Sequence, residues 1–240
     1  MKILLIPFLT AVILISGANA HALPTRPIDL GDTTVEQVQT GYSGDVTLEN
    51  LEYWFAQHGI TNPDGSAIHP EGDQLQYELF YTDMAREYQV RFLGIGYAGY
   101  HSPFGVFTYG GNPFESFDST LLRFEDPLFV QNETSPDTDY EFSIDADTYF
   151  GFYLNSNNKG KYLTTMIAPN PDELDHALFY ETNMGFTIAF EDIIGGGDRD
   201  FEDLVVNFNP NPVPEPGTIL LLGIGLVGLV GFRKKSRVIK

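Results

Sequence analysis

Cysteine is absent from this 240-residue chain, and basic side chains are scarce in its central part. Without cysteine, the fold uses no disulfide bond and no catalytic thiol. Lys2 and five residues among the last eight account for six of the 13 Lys and Arg, so seven lie between positions 21 and 216. All 33 Asp and Glu lie in the same span, which therefore carries a formal charge of seven minus 33, or −26.

This acidity excludes some partners and favours others. A surface of this charge repels nucleic acid and anionic lipid, so no nucleic acid is expected as a partner. The same surface attracts divalent cations, although the alternative is that the acidity only keeps the protein soluble. Aromatic residues are frequent, which is not typical of a chain that is disordered throughout.

Common catalytic motifs are also missing. The chain has no HExxH, no GxSxG and no phosphate-binding glycine loop. Pairs of carboxylates occur in many places, so a glycoside hydrolase is one interpretation, but nothing distinguishes two of them as acid and nucleophile. We therefore expect a protein that is not an enzyme.

The N-terminus has the three parts of a secretory signal peptide. Met1-Lys2 is positively charged, Ile3–Ser16 is apolar, and Ala18-Asn19-Ala20 fits the small-x-small rule for cleavage between Ala20 and His21. We assign residues 1–20 to a signal peptide that the general export machinery and signal peptidase process. The alternative is an N-terminal anchor that is retained.

The C-terminus has a second hydrophobic segment. Pro214-Glu215-Pro216 precedes the uncharged run Gly217–Phe232, and a basic end follows. Sixteen residues form a helix of about 24 Å, somewhat short for a hydrocarbon core of about 30 Å. Basic residues beyond it place the C-terminus in the cytoplasm. This pattern predicts a transmembrane helix within residues 214–240, and the alternative is an ordinary anchor with no sorting function.

The order of PEP motif, apolar run and basic end resembles the PEP-CTERM sorting signal of exported bacterial proteins. That resemblance implies a membrane-embedded exosortase as partner, which recognises the signal and removes it. It also implies a protein anchored transiently in the inner membrane by its C-terminal helix and then released to the cell surface or the extracellular space.

Between these two ends the pattern predicts one mainly β domain. Residues 21–73 form an N-terminal arm, with room for one short strand, and a helix over Thr47–His58, where Thr47 caps the start and Gly59 ends it. Residues 74–208 form an antiparallel β-sandwich or jelly roll, and residues 209–213 form a stiff Pro/Asn spacer. Ten strands are predicted: Leu75–Tyr81, Tyr88–Tyr97, Gly105–Tyr109, Thr120–Phe124, Tyr140–Ile144, Tyr149–Leu154, Tyr162–Ile167, Ala177–Glu181, Gly185–Phe190 and Leu204–Phe208.

The stretch FEDIIGGGDRDFEDLVVNF, residues 190–208, is the strongest candidate for a binding site. Its three glycines allow a tight loop with positive φ. Carboxylates surround the glycines and match the oxygen ligands that calcium prefers. The proposed metal ligands are Glu191, Asp192, Asp198, Asp200 and Asp203. The alternative is a network of Asp–Arg and Asp–backbone contacts that only fixes a β-turn, in which Arg199 is a counter-ion.

The same stretch resembles a bacterial domain of unknown function that is often found in exported proteins. The pattern FEDxxGGGDRDFxDLVV carries the resemblance, and Ser102–Tyr109 and Asp175-His176-Ala177-Leu178 add to it. The resemblance covers residues 90–208 and implies a β-rich extracellular module with no established activity. His176 is either a ligand or base, or a hydrogen-bonded turn residue.

Three functions fit these observations. The first is a non-catalytic surface or matrix protein that acts in adhesion or in the organisation of exopolysaccharide and biofilm. The second is a calcium-dependent carbohydrate-binding module, in which some of the 13 Tyr and 19 Phe form platforms for sugar rings. The third is a glycan hydrolase.

Overall fold

The computed structural model describes residues 25–38, 51–96 and 99–210. The predicted signal peptide with its Ala20–His21 cleavage site and the sorting signal from Pro214 onward lie outside these residues. Among the described residues, no helix is both long enough and apolar enough to span a membrane.

The described part contains twelve strands and one α-helix. The strands are β1 (Thr25–Ile28), β2 (Leu79–Thr82), β3 (Arg86–Gly94), β4 (Pro103–Tyr109), β5 (Leu122–Phe124), β6 (Phe129–Val130), β7 (Thr138–Ile144), β8 (Thr148–Asn155), β9 (Tyr162–Thr164), β10 (Ala177–Thr182), β11 (Gly185–Phe190) and β12 (Leu204–Asn209). The helix α1 spans Leu51–Gln57, so the predicted helix is confirmed there, and its predicted start at Thr47 lies outside the described residues.

The strands form two antiparallel sheets. One has the order β1-β2-β8-β4-β5, with β6 paired to β4 and β9 paired to β8. The other has the order β10-β11-β12-β3-β7. The predicted mainly β, antiparallel sandwich is therefore confirmed.

The core between the sheets follows from strand alternation. In β11, Phe186, Ile188 and Phe190 face the other sheet, whereas Ala189 faces outward. Aromatic side chains from both sheets meet in the centre, where the Phe80 and Phe208 rings are 4.7 Å apart. Side chains alternate between the two faces of a strand. The residues of β11 therefore contribute to two separate hydrophobic clusters, one between the sheets and one on the outer face of the second sheet.

The helix α1 covers the outer face of the second sheet. Its buried residues Leu51, Trp54 and Phe55 belong to the cluster that includes Tyr180 and Val205. Gly59 has φ +67 and ends the helix, as predicted.

The N-terminal arm is part of the sandwich. Strand β1 pairs with β2 at the edge of the first sheet. Farther on, the Glu36 N–H donates to Gln74 Oε1 at 2.8 Å, and Gln74 Nε2 donates back to the Glu36 carbonyl at 2.8 Å. These contacts tie residues 29–38 to the domain.

Nine of the ten predicted strands begin or end at other residues in the structure, and at two of these boundaries the physical reason is visible. Leu75 donates its N–H to Phe179 of β10, and the chain then crosses to the other sheet, so β2 begins only at Leu79. Strand β9 ends at Thr164 because Asn170 Oδ1 accepts the Thr164 N–H at 2.6 Å and turns the chain away.

Candidate metal centre

The predicted site is the connection between β11 and β12, residues 191–203. Gly195, Gly196 and Gly197 have φ values of +93°, +82° and +45°, as the sequence predicts for a tight glycine loop. At Gly197 the reason is steric as well, because a Cβ there would collide with the Glu191 carboxylate. The loop therefore closes directly over this acid.

Three of the five predicted ligands converge. Ligand oxygens of Glu191, Asp200 and Asp203 all lie within 4.8 Å of one another. Glu191 is fully buried, Asp203 is 9% exposed, and Asp200 is half-buried. One acid comes from the end of β11 and two from the approach to β12, so the hairpin geometry of these adjacent strands brings them together.

Backbone hydrogen bonds hold these carboxylates in place. Glu191 Oε1 accepts the N–H of Ile193 at 3.2 Å, and Oε2 accepts the N–H of Arg199 at 3.0 Å. Asp203 Oδ2 accepts the N–H of Asp192 at 2.9 Å. The backbone therefore orients these carboxylates, and since a carboxylate oxygen can accept more than one contact, the group can still coordinate an ion.

The raised pKa values of the three acids reflect how unfavourable negative charge is on these buried and half-buried carboxyls. Burial, together with the charge and hydrogen bond of Asp203, raises the pKa of Glu191 to about 9. Burial and the charge of Asp192 raise the pKa of Asp203 to about 7, and burial with the charge of Asp198 raises the pKa of Asp200 to about 6. A cation among them would favour the ionised forms.

Asp192 and Asp198 lie outside this group of three. Asp192 is buried and its Oδ2 accepts a hydrogen bond from Gln131 Nε2 at 3.1 Å. Burial, opposed by the Gln131 hydrogen bond, raises its pKa to about 6. Asp198 is exposed and contributes charge to the neighbouring acids. The five predicted residues therefore form an inner group of three, a buried neighbour and an exposed neighbour.

Arg199 does not place its guanidinium among the aspartates as a counter-ion. Its side chain reaches Glu36, with Nη2 3.7 Å from Oε2, and its backbone has φ +59°. Its N–H still donates to Glu191. The residue thus closes the loop with its backbone and contacts the N-terminal segment with its side chain.

His176, directly before β10, supports the loop. Its Nδ1 lies 3.2 Å from the Glu191 carbonyl oxygen, which can only accept, so Nδ1 carries a proton. Its Nε2 lies 3.0 Å from Asp172 Oδ2, and the same carboxylate accepts the N–H of Gly195. Burial alone would raise the pKa of Asp172, but the hydrogen bonds from Gly195 and His176 bring it below the ordinary value. The imidazole is fully buried and hydrogen-bonded on both sides.

Asp172 and Gln131 were not predicted as parts of this site. Gln131 Nε2 also donates to the Asp203 carbonyl at 2.6 Å, so it bridges both arms of the loop. Gln131 directly follows β6 and has no motif around it. Asp172 stands four residues before His176, and this spacing is the one local signal that could have indicated it.

Comparison with known families confirms both resemblances, although the domain match begins at residue 134 and leaves Ser102–Tyr109 outside it. Residues 134–211 match the domain of unknown function DUF4114, and residues 212–235 match the PEP-CTERM protein-sorting motif. The matched domain contains the whole aspartate loop and strands β7 to β12. No curated protein and no solved structure matches the chain.

The chain thus carries a DUF4114 domain followed directly by a PEP-CTERM sorting motif. The motif implies an exported protein with a membrane-anchored C-terminal tail that an exosortase processes.

Proposed function

We propose that this exported protein acts without catalysis at the cell surface or in the extracellular matrix, in adhesion or in the organisation of exopolysaccharide and biofilm. The sorting motif supports the location, because it directs the chain outward. The acidic composition of the chain supports a binding or structural role. So does its sequence, in which none of the motifs that were identified is catalytic.

The loop of residues 191–203 would bind calcium and stabilise the domain. The observation that carries this proposal is the convergence of Glu191, Asp200 and Asp203 on a buried point. Calcium takes six to eight oxygens and favours carboxylates, and three carboxylates can supply up to six. Backbone oxygens or water would complete the shell.

A thermal melt of the full chain in detergent tests the calcium site. We expect a higher melting temperature in millimolar calcium than in EDTA, because a ligand at 100 times its Kd adds about 2.7 kcal/mol. For a domain of this size that corresponds to roughly 5 to 11 °C. Asp200→Asn should remove the part of the shift that depends on the loop.

The matched control is Asp198→Asn, which deletes the same charge in the same loop at an exposed position. It should keep most of the shift. If calcium does not change the melting temperature of the wild-type chain, the loop is only a hydrogen-bonded turn. Calcium binding is then no part of the function.

A carbohydrate-binding module is the second candidate, and one surface favours it. Tyr81 and Tyr149 are paired across β2 and β8, both are half-buried, and their rings are 4.9 Å apart. The Tyr81 hydroxyl donates to Asp147 at 3.0 Å. A cavity of about 310 Å³ adjoins Tyr149, Asp147 and Arg123. The Arg26 guanidinium lies over the Tyr81 ring, 5.0 Å from its centroid. Tyr149 is therefore the ring that would stack on a sugar beside Asp147 and Arg123.

This surface and the aspartate loop lie at opposite ends of β8. Asp147 precedes the strand, whereas Ser156, just after it, donates to the Asp192 carbonyl at 2.8 Å. Eight residues span about 26 Å at roughly 3.3 Å each. Calcium in the loop would therefore stabilise the domain and would not touch a sugar held by the tyrosines.

A glycan array, read with calcium and then with EDTA, tests this second candidate. We expect binding to persist in EDTA below the apo melting temperature and to be lost in Tyr149→Ala. An array with no signal in calcium would disprove carbohydrate binding. If Tyr149→Ala still binds the glycan, the binding site lies on another surface.

A further inference from the structure

A second group of carboxyls lies where the N-terminal segment, residues 29–38, crosses the sandwich. Glu78 stands just before β2 and is fully buried. The side chain of Asp32 lies near the Glu78 carboxyl, close enough for a hydrogen bond when one of the two acids holds a proton. Asp175, just before β10, adds its charge to both. These three positions are far apart in the sequence and meet only in the fold.

Backbone contacts on both sides of Asp32 fix it against Glu78. Before it, the Ile28 carbonyl accepts the N–H of Glu78 at 3.0 Å. After it, Glu36 exchanges two hydrogen bonds with Gln74. The segment between these anchors thus has a defined path, and the carboxyl contact is a consequence of that path.

The Glu78 carboxyl has an oxygen with no donor. Oε2 accepts the N–H of Ile167 at 3.3 Å, whereas Oε1 is buried without a hydrogen-bond partner. The group it contacts is another carboxyl, which can donate only when it holds a proton. Thr33, the neighbour of Asp32, also has a buried hydroxyl oxygen without a partner.

The three carboxyls have no basic partner among the described residues. No Lys, Arg or His within the described ranges forms an ion pair with Glu78, Asp32 or Asp175. Burial, followed by the hydrogen bond and charge of Asp32, raises the pKa of Glu78 to about 9, and burial raises that of Asp175 to about 7. Buried carboxylates are normally paired or bound to a metal.

A shared proton and a bound cation are the two ways to relieve this repulsion. One proton between Glu78 and Asp32 would leave negative charge on the pair and on Asp175. A divalent cation would neutralise two charges, use the free Oε1 and reach the pair from solvent, because Asp32 is exposed. The arrangement therefore favours the cation.

We propose that Glu78 and Asp32 bind a hard divalent cation of the calcium class, with Asp175 supplying further negative charge, and that this ion fastens residues 29–38 to the sandwich. The site shares no ligand with the aspartate loop. It can exist whether or not the loop binds calcium.

Equilibrium dialysis of the full chain in detergent against radioactive calcium, at physiological salt, counts the bound ions. We expect two tightly bound ions in the wild-type chain and one in Glu78→Gln. Asp200→Asn should also retain one, and the double variant should retain none. Glu87→Gln, the same substitution at an exposed position, should bind like the wild-type chain and controls for diffuse attraction to the acidic surface.

Circular dichroism checks that each variant is folded. If Glu78→Gln unfolds, Asp32→Asn decides the question, because that residue is exposed and its loss leaves the core intact. Wild-type stoichiometry in a folded Glu78→Gln or Asp32→Asn chain would overturn the site. One wild-type ion that Asp200→Asn keeps and Glu78→Gln loses would support this site and disprove calcium binding in the loop.

Discussion

Gly197 is the residue at which loop shape and acid placement depend on each other. It has φ +45°, and a methyl group at its α-carbon would collide with Glu191. We expect Gly197→Ala to displace the buried carboxylate and to lower the free energy of unfolding by well over the roughly 1 kcal/mol that positive φ alone costs. Urea denaturation of the full chain in EDTA measures this difference.

Gly195→Ala is the matched control. Gly195 also has positive φ, at +93°, but a Cβ there would meet no atom within 4 Å beyond its own chain neighbours. This variant should lose only the cost of the backbone conformation. Equal losses in both variants would show that contact with Glu191 does not decide the stability of the loop.

The residues of a site could be predicted from the sequence where they lie close together along the chain. The glycines with positive φ and the acids around them stand within thirteen consecutive residues, and the structure places three of those acids together. Asp32, Glu78 and Asp175 could not be grouped, because only tertiary packing brings positions 46 or more residues apart into contact.

At the scale of elements, the loop of residues 191–203 makes stability depend on pH. The folded pKa of Glu191 is about 9 and that of Asp203 about 7, above their unfolded values of roughly 4. The folded state then binds more protons than the unfolded state, so stability falls as pH rises through this range. We expect the melting temperature in EDTA to fall between pH 6 and 9, where ordinary carboxylates are already ionised.

Calcium should reduce this slope, because a bound cation favours the ionised acids. Glu191→Gln should reduce it in EDTA as well, without abolishing it, since Glu78 has a raised pKa too. Glu141→Gln, at an exposed position of β7, should leave the slope unchanged. A rise in melting temperature from pH 6 to 9 would contradict the raised pKa values.

Strands were predictable to the extent that they carry aromatic and β-branched residues between turn signals. All ten predicted strands exist, and Gly185–Phe190 has the predicted ends. Strand β6 was missed because two residues are too few for a periodic pattern. Strand β1 has the sequence TRPI, and its pairing depends on the edge that β2 offers, so only a short strand somewhere in the arm could be expected.

At the scale of the whole molecule, the sorting motif predicts how the protein leaves the membrane. Replacing Pro214-Glu215-Pro216 by three alanines should block processing, because the exosortase would lose its recognition motif. We expect the variant to accumulate in the membrane fraction with its tail intact. Cell fractionation and intact mass of the purified protein measure both effects in an exosortase-containing host.

Two controls make this result specific. Alanine substitution of Asn209-Pro210-Asn211 changes three residues just upstream and should leave processing unchanged. A host that lacks exosortase should retain the wild-type chain in the membrane as well. Release of the triple-alanine variant at the wild-type rate would show that another feature of the tail is recognised.

The position of β12 has a mechanical consequence for a tethered protein. This last strand is hydrogen-bonded to β11 on one side and to β3 on the other, and it leads directly toward the sorting motif. A pull on the tail therefore enters the domain through an interior strand rather than through an edge. Two ladders of hydrogen bonds share that load, so force on the tail would strain the whole sheet before one strand could peel away.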